Sequence, residues 1–164
     1  MNNAHWHLVF NHLPIIIPIV GLLTMIGGFI FRSEAVKRTS YFIFILGAIS
    51  TIPAFATGEG AEEAVEHIQG IDEKFIKIHE EAAEKFAVLS YILGGISLIG
   101  LWASFKEKTF SNIIAFVTIA LSVVVLVLAK QAGTTGGEIR HTEIREGNNA
   151  AVSNSNADSD DDDD

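Results

Sequence analysis

The sequence contains no cysteine. That excludes disulfides, thiolate zinc sites, iron–sulfur clusters and thioether-linked haem. Any metal or haem must be held by His, Asp, Glu, Met or backbone groups. Proline is scarce, with three residues, and methionine scarcer, with two. The most informative absence is charge. No Asp, Glu, Lys or Arg falls within 13–31, 39–56, 86–105 or 112–129. Each run approaches the ~20 apolar residues that cross ~30 Å of hydrocarbon. The net charge of −9 excludes a nucleic-acid surface, which must be basic. Recognition motifs of common enzymes are also missing: there is no GxSxG, no Walker loop and no Cys–His pair. The chain does not read as an enzyme by itself.

What is present fits an all-α fold: a four-helix transmembrane bundle with an outer amphipathic helical segment between helices two and three. The N-terminus lacks a basic region and a small-residue cleavage site, so the first run reads as a retained helix. Arg32, Lys37 and Arg38 join the first two spans, and Lys106 and Lys108 join the last two. Basic residues in short loops mark the cytoplasmic side. The sequence therefore predicts a multi-pass protein of a bacterial inner membrane with both termini outside. Its partners would be the lipid bilayer and a periplasmic or membrane-bound redox protein.

Between the second and third runs, Ala61, Ile68, Phe75 and Ala82 recur every seven residues, with Ala64, Ile71 and Ile78 between them. That is an apolar stripe at helical spacing. It predicts one or two helices, broken near Gly70, the second running into the third span. Pro18 and Pro53 predict kinks. The domain occupies 1–146. Residues 147–164, rich in Asn, Ser and Asp, predict a disordered acidic tail.

All six histidines, His5, His7, His12, His67, His79 and His141, fall on the predicted outer face. Most loop residues lie there too, so sidedness alone carries little weight. Position says more. His12 stands at the mouth of the first span. His79 shares a helix face with Ala82, Ala83, Phe86 and Ser90, while Glu80, Glu81, Glu84 and Lys85 take the other side. This places an imidazole over small and apolar groups, facing inward. His5 and His7 flank Trp6, an arrangement typical of an interfacial anchor. His67 falls on a charged face. His141 follows Gly136-Gly137 after the fourth span, where the chain can fold back over the bundle mouth.

Two neutral imidazoles from facing helices are the usual axial ligands of non-covalent haem b. The cofactor-binding candidates are His12 and His79, with His7 and His141 in support, and His12 and His79 would ligate the haem iron. The same rings suit copper, zinc or iron without redox chemistry, with carboxylates completing the shell. A cofactor-free accessory subunit of a membrane complex is the third reading.

These residues resemble the bacterial membrane domain-of-unknown-function family 2231. That family's pattern has His-Pro and then His-Phe-Pro-Ile at helix one, a Gly ending helix two, a His before helix three and Gly-Gly after helix four. Here residues 7–15 read His-Leu-Val-Phe-Asn-His-Leu-Pro-Ile. Thr57-Gly58 ends helix two, His79 precedes helix three, and Gly136-Gly137 follows helix four. Leu8 and Leu13 depart from the pattern. The resemblance implies a four-helix membrane protein and directs attention to His7, His12 and His79.

Overall fold

The computed structural model describes residues 2–66, 68 and 71–145. Among these, every regular element is helical. The chain runs α1 (Asn3–Phe10), α2 (Leu13–Ile30), α3 (Glu34–Ala56), α4 (Gly58–Glu66), α5 (Glu73–Phe105) and α6 (Ser111–Arg140), closing with a 3₁₀ turn at Thr142–Ile144. Helices α2, α3, α5 and α6 form the bundle. In order of contact, α2 packs on α3, α3 on α5, α5 on α6 and α6 back on α2. Four helical stretches are long and apolar enough to cross a membrane.

The ends of these helices follow from local chemistry. Ser33 accepts the Val36 amide and starts α3, and Asp72 accepts the Lys74 amide and starts α5. Helices α2 and α5 end alike. The Ser33 amide donates to the Gly28 carbonyl, and the Lys108 amide to the Ala103 carbonyl. This is the Schellman turn, with a left-handed residue after the cap. Arg32 and Glu107 occupy that position, at φ 52° and 50°. Neither is glycine.

The structure extends the third and fourth spans. Helix α5 has 33 residues, so it measures ~50 Å, well beyond the hydrocarbon. Its apolar part starts at Phe86. The preceding stretch carries Glu73, Lys74, Lys77, Glu80, Glu81, Glu84 and Lys85 and projects past it. Helix α6 continues through Gly133, Gly136 and Gly137 to Arg140, so the paired glycines lie inside the helix rather than after it. Packing against α5 outweighs their poor helix propensity. Pro18 and Pro53 likewise lie within continuous helices. Helices α4 and α5 are separate elements, and the predicted break at Gly70 lies outside the described residues, as do His67 and the acidic tail.

The bundle interior is small and partly polar. Met25, Tyr41, Phe44, Leu93 and Val125 fill it, together with buried Ser40, Thr51, Ser90, Ser97, Thr118 and Ser122. The large aliphatic residues point outward: Ile16, Leu23, Ile49, Ile52, Leu98, Ile99 and Val127 are all exposed. Small residues let helices approach closely. A Cβ on Gly94 would stand 2.5 Å from Cβ of Ala48, and one on Gly100 would run into the Tyr41 ring.

Candidate histidine site

The amide of His5 donates to the Asn2 side chain at 3.0 Å and so caps α1. The helix ends at Phe10, and the chain turns at 11–12 before α2. Because α1 is a separate short helix, it lies against α3 and α4 rather than continuing α2 outward. This brings His7 to the end of α3. Its ring Nδ1 lies 3.0 Å from the Ala54 carbonyl oxygen, with Thr57 Oγ1 at 3.4 Å. Carbonyls in a last helical turn lack helical partners. A carbonyl can only accept, so Nδ1 carries the proton. The lone pair of His7 then sits on Nε2.

His79 lies on the inner stripe of α5, in register with buried Ile76, Ala82 and Phe86. Its Nδ1 is 3.2 Å from Thr135 Oγ1 on α6. The Thr135 hydroxyl directs its own hydrogen to the Gln131 or Ala132 carbonyl, at 3.0 and 3.2 Å. With its hydrogen so directed, it accepts from His79 Nδ1–H. Gly136 makes this position accessible: a Cβ there would meet the ring Cε1 at 2.9 Å.

His79 stands outside the apolar span that begins at Phe86. Burial holds its imidazole below the usual histidine range. The nearby His7 ring adds to that effect, and the Ala132 carbonyl opposes it. Neutral imidazole is the form that can bind a metal.

His7 lies close enough to His79 for its charge to act on the His79 ring. His12 is the residue before α2, exposed and without a side-chain capping bond. Its carbonyl accepts the Ile15 and Ile16 amides. His141 ends α6, exposed, with Nδ1 2.8 Å from Glu143 Oε1. The Glu143 carboxyl is held below its usual range, first by its own backbone amide and then by His141. The segment after α6 does fold back. Arg145, not His141, makes the contact: its guanidinium lies 3.9 Å from the Phe75 ring centroid, and it donates to the Glu138 and Ile139 carbonyls. His5 is exposed beside Trp6.

Thr135, Thr57 and the Ala54 carbonyl, which orient the two rings, were not legible as site residues. Only Thr57 had a signal, standing in the motif that ends helix two. Among the described residues no three His, Asp or Glu side chains converge to hold a metal ion. The donors brought to this end are the His7 and His79 imidazoles, each bonded through Nδ1 to a neighbouring group.

Comparison with known proteins adds no relative: no family model, no curated protein and no solved structure matches the chain.

Proposed function

We propose that the chain is a multi-pass membrane protein that holds a b-type haem between His7 and His79 and passes single electrons at that end of the bundle. The membrane reading draws support from the inside-out distribution of polarity. Serine and threonine hydroxyls are buried between helices, while Ile, Leu, Val and Phe face outward on all four. Water as solvent would penalise that surface, whereas lipid does not. Under this reading the short loops face the cytoplasm, both termini face a periplasm-like space, and a redox protein docks at the histidine end.

One observation carries the haem reading. Both histidines bond through Nδ1 to a group on a neighbouring helix. Such a bond orients a ligating histidine and, where Nδ1 donates, raises its basicity. His7 and His79 would hold the iron, and haem when bound supplies reversible one-electron chemistry. The protein's own residues then have definite tasks. The Ala54 carbonyl sets the His7 tautomer, Thr135 orients the His79 ring, Gly136 admits that ring, and burial keeps it neutral.

A cofactor-free accessory subunit is the second reading. The same two hydrogen bonds tie α1 to α3 and α5 to α6, which is a sufficient structural role for the two rings. An absorption spectrum of protein purified from membranes, with haem supplied during expression, separates the readings. The haem reading expects a Soret band that sharpens on reduction and is lost in both His7→Ala and His79→Ala, but not in His12→Ala. A colourless protein of normal helix content sinks it. Stoichiometric copper or zinc in that colourless protein assigns the rings to a bare ion instead.

A further inference from the structure

A cavity of about 270 Å³ opens at the opposite end of the bundle, between the starts of α3 and α6 and the end of α5. Arg38, Ser104, Glu107 and Lys108 line it together with Ser111 and Asn112 of α6. Arg38 is held firmly. Its Nε donates to Ser104 Oγ at 2.9 Å, and one Nη donates to the Ser104 carbonyl at 2.8 Å. The guanidinium lies 4.5 Å from the Phe105 ring centroid. Lys108 rests its ammonium 5.7 Å over the Trp102 ring. The two rings hold both cations beside apolar surface instead of releasing them into water.

Neither cation has a carboxylate partner within ion-pair distance among the described residues. Glu34 also lines the cavity, but it is already engaged. It pairs with buried Lys37 and accepts from Ser104 Oγ, and Lys37 donates its other bond to Asn112. Glu34 thus cancels Lys37, and Glu107 cancels one of the two remaining cations. One positive charge is left over. The first turn of α6 adds to it through its dipole, because its preceding residue, Phe110, offers no side-chain cap. A partly desolvated cavity with a fixed guanidinium and surplus positive charge selects a singly charged oxyanion.

We propose that this cavity binds the phosphodiester of a membrane phospholipid headgroup. The inference rests on the membrane reading above but not on haem. Arg38 offers its unused guanidinium hydrogens to the phosphate oxygens, and Lys108 supplies a second positive charge. Exposed Phe105, Trp102 and Phe110 beside the cavity give the acyl chains an apolar bed.

The test is native mass spectrometry of the detergent-purified full chain, titrated with phosphatidylglycerol, diacylglycerol or inorganic phosphate. One phosphatidylglycerol per chain should be retained. Arg38→Gln should weaken that retention by roughly ten-fold or more, as expected for losing a charge-assisted hydrogen bond. Arg38→Lys should fall between, and Lys106→Gln, which does not line the cavity, should match the wild type. Diacylglycerol should not be retained. Helix content by circular dichroism checks that each variant is folded. Unchanged retention in folded Arg38→Gln overturns the proposal, as does equal retention of diacylglycerol. Inorganic phosphate binding as tightly as the lipid replaces the headgroup with a free-phosphate site and overturns it too. Protein released from membranes by alkaline carbonate would instead defeat the membrane reading itself.

Discussion

The two ends of the bundle are built on opposite plans. At the short-loop end, two Schellman turns close the helices tightly, and Lys37, Glu34, Arg38, Ser104 and Asn112 share one network. At the histidine end, α1, α4 and the last turns of α6 are laid over the mouth by a few contacts, each resting on one side chain. His7 reaches Ala54, His79 reaches Thr135, and Arg145 covers Phe75. The charged end is connected and redundant. The histidine end is assembled from more separable parts.

Breaking the shared frame has the largest expected effect. Gly100→Leu would drive a side chain into Tyr41 and should destabilise the bundle by about 3 kcal/mol, an overpacking cost, read from the thermal midpoint in detergent. Removing Glu34 comes next. Glu34→Ala leaves the buried Lys37 ammonium with Asn112 and the Phe29 ring but no carboxylate, at a cost of about 2 kcal/mol, whereas Lys37→Met removes the charge and should cost under about 1 kcal/mol. Equal losses in the two variants would show that the network is not organised around Lys37. At the other end, His7→Ala should cost about 1 kcal/mol, the value of its bond to Ala54, and should release α1 to proteolysis while leaving the four long helices protected.

The pH response should also distinguish the ends. His79 binds its proton less tightly in the folded chain than in the unfolded one. Its contribution is therefore complete above the ordinary histidine value of 6.5 and is lost as pH falls below it. Thermal midpoints measured between pH 8 and pH 5 should decline through that window, and His79→Gln should flatten the decline. A decline of the same size in His79→Gln would place the sensitive group elsewhere. The smallest effect is a gain. Arg32→Gly and Glu107→Gly should each stabilise by up to ~1 kcal/mol, because glycine adopts the positive φ of these turns without a Cβ penalty.

The long helices were legible because an apolar run without charge can be little else. The inward face of His79 was legible too, since its position repeats with Ala82 and Phe86 along α5. The partner of His79 was not. Sequence adjacency drew attention to His12, whereas the nearness of His7 to His79 depends on α1 lying against α3 and α4. The Gly136-Gly137 pair misled in the same way. Local propensity ends a helix there, yet contact with the His79 ring carries α6 onward. The network around Lys37 escaped notice because its members lie far apart in the chain, and only the antiparallel pairing of α3 with α5 brings Arg38 to Ser104.

Helix α5 also has a mechanical consequence. It touches the charged network at Ser104 and the histidine pair at His79, and between them Gly94 is seated directly against Ala48. If that seat is taken as a fulcrum, His79 stands ~22 Å to one side and Ser104 ~15 Å to the other. A tilt of about 5° would carry His79 through ~2 Å and Ser104 through a little over 1 Å in the opposite direction, by the same helix geometry. A tilt about that seat would move the two ends in opposite directions.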